Sequence, residues 1–489
     1  MGAYAELVRS VIFACEPARQ TPDWRTYFLR SPDVTTVRQA SLRALLAKEV
    51  RELLSGRALW TMLLLLCPLV GYSFFQAVAL YGEASAAARD QPQVATSLSP
   101  LDGILVPTFG AFYVTVTLLF PFVAIRALGR EKETGALKLL VQLPHPIPTL
   151  VGAKLAAVTV AWLIAVIPVA AALLLWLSFH GHLNLPETSN LLFGHLLYGL
   201  LIGAIALFAA AISDNSATAA IVTLAFTIGS WVLDFALAGQ SGTLGWISRL
   251  SLTQALRTFE QGLLSAALVL GMCAAIASFA TLAAIWLHPG TSLHKRLART
   301  ILCVGLAGVL LAVATQLPKS IDVSEDKRNS FPAADQRALA GLNEPLIVTV
   351  HLAPEDPRYV DLQRNVLSKL ERIVPNVTIR LVTAGQSVIG SAGEVSYGEI
   401  EYSYGGRSAK SRSTSHREAL PLLYGLAGVP APTPQTGEEY PGYPLVTDGW
   451  IALPWFFVAL PLLIAVAWWW WSRRAPRIPA QSAKNGGQL

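Results

Sequence analysis

Charge is scarce in this sequence. Only 14% of its 489 residues are Asp, Glu, Lys or Arg, against 53% hydrophobic residues, and mean hydropathy is +0.49. A soluble domain carries roughly a quarter charged residues, so a single soluble globule of this size is excluded. A disordered or collagen-like chain is excluded by the same figures. Cysteine is scarcer still. The four residues, Cys15, Cys67, Cys273 and Cys303, stand in or beside apolar stretches, which rules out a disulfide framework and argues against redox or metal roles. Sequence signatures of chemistry are also missing. There is no GxxxxGK[ST] phosphate loop, no HExxH, no GxSxG and no paired Cys/His set, so the chain is not expected to be an enzyme or to hydrolyse ATP through a phosphate loop. The eight histidines are scattered. His180 and His182 lie close together outside any apolar run, too weak a pair for a metal, and His195 reads as a hydrogen-bonded residue within a helix bundle.

Long apolar runs are what the chain has in quantity. A segment of about 18 or more apolar residues crosses ~30 Å of hydrocarbon as a helix. Eight such segments are found, at about 58–81, 104–127, 155–179, 191–212, 217–238, 263–287, 301–317 and 450–472. The expected class is an α-helical polytopic membrane protein of about eight transmembrane helices. The first run starts too late and is too long to be a cleavable signal. Basic residues collect in alternate loops: Arg130, Lys132, Lys138 and Lys154; then Lys295, Arg296 and Arg299; then Arg473, Arg474, Arg477 and Lys484. The intervening loops hold little beyond Arg89, Arg249 and Arg257. By the positive-inside rule both termini are cytoplasmic and residues 318–449 lie outside. The net charge of +6 is explained by these loops and needs no nucleic-acid partner.

The resulting organisation is a cytoplasmic segment at 1–57, six spans over 58–287, a seventh span at 301–317, a polar domain at 318–449, an eighth span at 450–472 and a cytoplasmic tail at 473–489. Within the first segment, residues 37–55 show helical apolar spacing at Leu42, Leu45, Leu46, Val50, Leu53 and Leu54. This fits a helix in the membrane interface or one packed on the protein's own cytoplasmic surface. The polar domain alternates strand-like and helix-like stretches: 345–353, 359–374, 377–384, 398–406 and 417–428. That order suggests a small extracytoplasmic α/β domain, followed by a Pro/Gly-rich linker over 429–447. Asp234, near the outer end of span five, is either a pathway residue or a carboxylate satisfied at the span's end. Residues 243–262 are amphipathic and form either a lid on the bundle or short helices dipping into the outer leaflet.

The cytoplasmic loop 128–154, LGREKETGALKLLVQLPHPIPTLVGAK, is the most informative stretch. Alternating charges precede an apolar run far from any span, and prolines end it. A short amphipathic helix with a charged end is suited to docking on a cytosolic partner. Here the chain resembles the permeases of the type-2 ABC exporter superfamily, over about 38–290. The resemblance rests on Glu131, Lys132, Glu133, Gly135, Leu139, Leu140, Pro144 and Lys154, on six spans, on the preceding interfacial helix and on the amphipathic loop before span six. Lys138 departs from it, standing where an acidic residue is common. The resemblance implies that the loop couples to a separate ABC ATPase subunit carrying ATP and Mg²⁺. It also implies a second permease copy or paralogue and a place in the inner membrane among its lipids, with no cofactor in this chain. The segments IDVSEDKRNSF, PLIVTVHL, PNVTIRLV, EYSYGGR and REALPLLYGLAG resemble the outer domain of gliding-motility (Gld) type auxiliary ABC subunits, here fused and shortened. From these resemblances the chain is expected to be the permease of an ABC exporter. The alternative is a non-transporting envelope scaffold or mechanotransmitter driven by an ABC ATPase.

Overall fold

A computed structural model describes residues 34–88, 91, 95–142, 145–236, 251–314, 316–317, 320–342, 344–353, 356–382, 397–432 and 440–474. Eight of its helices are long and apolar enough to cross a membrane. They are α2 (Arg57–Ala88), α3 (Leu101–Glu133), α5 (Ile147–Ser178), α6 (Leu185–Ile212), α7 (Ser216–Ala236), α9 (Ala266–Leu287), α10 (Leu293–Ala314) and α14 (Gly449–Arg473). The protein is a multi-pass membrane protein. Three further helices flank the spans: α1 (Val34–Ser55), the five-residue α4 (Ala136–Leu140), and α8 (Leu252–Glu260).

Burial separates the centre of the bundle from its edge. In α6, 72% of the apolar window is buried, and α3, α5, α7, α8 and α9 pack around it. In α10 the share is 6%, and α9 is its main neighbour. The apolar side chains of such a helix are left uncovered within the chain. Several threonines on α3 turn their hydroxyls back onto carbonyls one turn earlier, Thr108 onto Ile104 and Thr115 onto Ala111, which removes free polar groups from an apolar setting. Inside α5, Pro168 lacks the N–H that would bond the preceding turn, and the helix is interrupted at Val166.

The helices reach beyond the apolar runs that announce them. Span three begins at Ile147, so Lys154 is in its second turn and not in a loop. Span four begins at Leu185. Span seven begins at Leu293, which places Lys295, Arg296 and Arg299 on its first turns, and ends at Ala314. Span six loses its first three expected residues to strand β1 (Leu263–Ser265), which pairs antiparallel with β2 (Ser320–Asp322). Helix α1 packs chiefly on α5, with Leu45, Glu49 and Leu53 buried.

The second apolar core belongs to the polar domain. Helix α11 (Ala333–Ala340), β3 (Leu346–Val350), the helical run α12 over 357–373, β4 (Val377–Leu381), β5 (Ile400–Tyr404), β6 (Arg407–Ser411) and α13 (His416–Ala427) follow in that order. The sheet order is β4-β3-β5-β6, with β3 and β4 parallel around the α12 crossover and the rest antiparallel. Val348 and Val350 of β3 alternate inward with half-buried Ile347 and Thr349, the period-two pattern of a strand covered on one face. Strand β6 lies where the sequence analysis expects no strand. The domain attaches at one end of the bundle, called here the domain-bearing end. The loop carrying α4 lies at the opposite end.

Candidate functional site

At the opposite end, α3 finishes in Glu131, Lys132 and Glu133, and each side chain leads to a different helix. The Glu131 carboxylate is buried. It forms an ion pair with Lys154 Nζ of α5 at 2.6 Å and accepts a hydrogen bond from Lys48 of α1. Lys154, itself 1% exposed, also donates to Glu49 Oε2 at 2.9 Å and to the Ala127 carbonyl at 2.6 Å. Lys48 further contacts Glu49 at 3.2 Å and Glu52 at 3.5 Å. Burial pushes the Glu49 carboxyl up while Lys154 pulls it down, and its pKa stays above the ordinary value. Burial opposes the charge on Lys48, but Glu49, Glu131 and Glu52 together outweigh it and raise its pKa. The carboxylates of Glu49, Glu52 and Glu131 lie close enough for a shared cation. Two ammonium groups already stand among them.

Lys132 reaches the last turn of α6, where its amino group donates to the carbonyls of Ala210 at 3.3 Å, Ala211 at 3.0 Å and Ser213. A cation at the C-terminal end of a helix satisfies orphan carbonyls and complements the dipole. Glu133 does the converse for α7, accepting from Ser216 N at 3.3 Å and Ser216 Oγ at 2.5 Å. The charged triplet thus ties the end of α3 to α1, α5, α6 and α7. Gly135 follows with φ +75°, a left-handed turn costly for other residues, and it redirects the chain into α4. No residue of α4 is buried: Leu139 is 62% exposed, Lys138 is exposed and Leu140 is half-buried. Pro144 lies outside the described residues, as does the side chain of Asp234.

At the domain-bearing end, residues 322–330 meet the bundle through polar contacts. Glu325 accepts from Tyr443 Oη at 2.6 Å and contacts His182 Nε2 at 2.9 Å, while its own N–H donates to Glu187 Oε1 at 3.2 Å. The His182 ring stacks on Tyr443 with centroids 3.6 Å apart. The hydrogen bond to Glu325 pushes the Tyr443 phenol up to about 12. Arg328 binds Asp326 at 2.9 Å, Ser99 Oγ at 2.9 Å and Asp102. Sequence reasoning singles out IDVSEDKRNSF (321–331) only as a resemblance; it does not find its bundle partners, which are spread over residues 99–443.

Between the two ends, α8 is held in the bundle by hydrogen bonds. Tyr113 Oη lies 3.1 Å from Thr253 Oγ1, Asn190 Nδ2 donates to the Phe259 carbonyl at 3.1 Å, and Leu252 N donates to Ser230 Oγ at 2.8 Å. The His195 Nε2 has no hydrogen-bond partner among the described residues, Glu260 stands 3.8 Å away, and the ring packs against Phe109 and Phe112.

Residues 43–238 match the family model for ABC-2 family transporter protein. This stretch runs from α1 through α7 and contains the triplet and α4, and the match supports a permease component of an ABC transporter. Permeases of this kind are transport components and not catalysts. The match stops before α8, and the α/β domain lies outside it. No curated protein and no solved structure matches the chain.

Proposed function

We propose that this chain is the permease subunit of an ABC exporter and that residues 128–154 dock on a separate ATPase chain. The observation that carries the proposal is α4, an apolar-faced helix with no buried residue, placed where α3 is bolted to four other helices. A push on α4 reaches α1, α5, α6 and α7 through the charged triplet. The surface offered to the ATPase is then Lys138 and Leu139, with Leu140 behind them. Glu131 and Lys132 act inward, holding the lever. ATP and Mg²⁺ are bound on the ATPase, and a second permease copy completes the transport unit. The basic loops support an inner-membrane topology with both termini cytoplasmic and residues 318–449 outside. The α/β domain is then an auxiliary module of Gld type joined to the exit side.

The test is co-purification. Leu139→Asp combined with Lys138→Glu changes two exposed side chains and leaves the triplet untouched. The double variant is expected to remain monodisperse in detergent and to lose its ATPase chain. Retention of the ATPase at the wild-type ratio overturns the proposal.

A further inference from the structure

We infer that residues 322–330 form a key through which the α/β domain governs opening of the domain-bearing end of the permease. The inference rests on the transport reading above, and it assigns that reading a regulatory element.

The key is a preformed object. The Asp322 carboxylate organises it, accepting from Asn329 N at 3.1 Å, Ser330 Oγ at 2.8 Å and Ser324 N at 3.1 Å. It is also fixed to the α/β domain. Phe331, the next residue, is buried in the domain core, Lys369 of α12 lies 5.6 Å from its ring centroid, and Arg372 of α12 donates to the Asn329 carbonyl. The key therefore moves with the domain.

On its other side the key touches most of the bundle's rim. Arg328 reaches Asp102 and Ser99 at the start of α3. Glu325 reaches Glu187 in the first turn of α6, His182 in the connection from α5, and Tyr443 on the strap leading to α14. Asn329 Nδ2 donates to the Gln261 carbonyl at 2.6 Å, and Val323 N donates to the Gly262 carbonyl at 2.9 Å, both just after α8. The pairing of β1 with β2 extends the seam onto the start of α9. One nine-residue turn thus joins the rim ends of α3, α6, α8 and α9.

The character of the seam makes it a device that can be released. The two apolar cores are separate clusters, and the key's contacts are hydrogen bonds and ion pairs. Such contacts exchange for contacts with water at little net cost, so a seam of this kind can part without exposing a buried apolar core. Of the two covalent routes to the domain, span α10 packs mainly on α9 and span α14 mainly on α2, so neither sets the domain's position over α3 or α6. Glu187 stands at the head of α6, the helix around which the bundle packs, so release at the key frees the element that most constrains the others.

The experiment uses the full chain with its ATPase in lipid nanodiscs. Glu325→Ala with Arg328→Ala unlocks the key. Leu264→Cys with Ile321→Cys, directly opposed across β1 and β2 in a chain freed of native cysteines, locks it when oxidised. The unlocked variant is expected to show at least fivefold faster deuterium uptake over 251–265 and 440–449, and at least a twofold change in ATPase turnover with the ATPase still bound. Glu325→Gln with Arg328→Lys restores both towards wild type. Oxidation of the cysteine pair is expected to lower turnover at least threefold, reversibly on reduction. Faster uptake confined to 322–330, or unchanged turnover in both the locked and unlocked proteins, overturns the inference. If no ATPase binds even the wild-type chain, the transport reading fails separately, and the deuterium pattern alone decides whether the key holds the rim.

Discussion

Lys154 carries the most at the scale of single residues. It is one ammonium placed between two carboxylates that are almost as deeply buried as itself. Removing one partner of a buried ionic group costs ~3–5 kcal/mol because the others are left uncompensated. Lys154→Ala is therefore expected to lower the stability of the detergent-solubilised protein by about that amount, read from chemical denaturation. Lys154→Met with Glu131→Gln is expected to recover part of the loss, and a single substitution costing under ~1 kcal/mol would contradict the geometry. The identity of the triplet was legible in the sequence, as charge beside an apolar run. Its inward partners were not. Lys48 and Ser216 each stand 83 positions from the residues they bind, and no local pattern encodes a contact of that range. The sequence therefore suggested a docking surface at Glu131 and Lys132, where the folded chain has an internal joint.

Among the elements, the spans were legible because hydrocarbon demands an unbroken apolar length. Their ends were not, because helices continue into polar surroundings wherever tertiary partners satisfy their charges, as at Lys154 and Glu133. Strand β6 escaped notice because its residues, RSAKS, lack an apolar alternation; its place beside β5 supplies the structure. Helix α8 was anticipated as an amphipathic stretch with two readings, and its hydrogen bonds to α3, α6 and α7 show how it is seated. The seat depends on Gly194. A β-carbon there would lie 2.5 Å from Phe259 Cβ and 2.4 Å from Phe259 Cγ, closer than packing allows. Gly194→Ala is expected to displace α8, break the bond from Asn190 to the Phe259 carbonyl, and raise deuterium uptake over 251–262 at least threefold. Uptake across α3 and α9 should change little. A wild-type pattern would mean that Phe259 finds another seat at no cost.

For the whole molecule, the proposed topology places the two ends of the bundle on opposite sides of the membrane. In a chain freed of native cysteines, Ser408→Cys on β6 is expected to react with an impermeant maleimide added to intact cells, and Ser482→Cys only after permeabilisation. The reverse pattern would invert every assignment of side. The division into a helical bundle and an α/β unit was readable from composition, since charge returns to the chain after residue 318. The seam between them was not, because it joins residues from five separate parts of the sequence.

The strap before α14 has a consequence for biosynthesis. Tyr81 and Ser85 of the first span are satisfied by the Tyr443 carbonyl at 2.7 Å and the Leu445 N–H at 2.9 Å, and Phe74 packs on Phe456. These partners leave the ribosome hundreds of residues after the first span. At ~5–20 residues per second the delay is about 20–80 s. Throughout it, α2 stands in the bilayer with bare hydroxyls and an uncovered aromatic face. The last span to be made is the one that finishes the first, so a nascent chain cut short before residue 440 remains an incomplete bundle, with the apolar face of α2 and the hydroxyls of Tyr81 and Ser85 open to membrane chaperones and proteases.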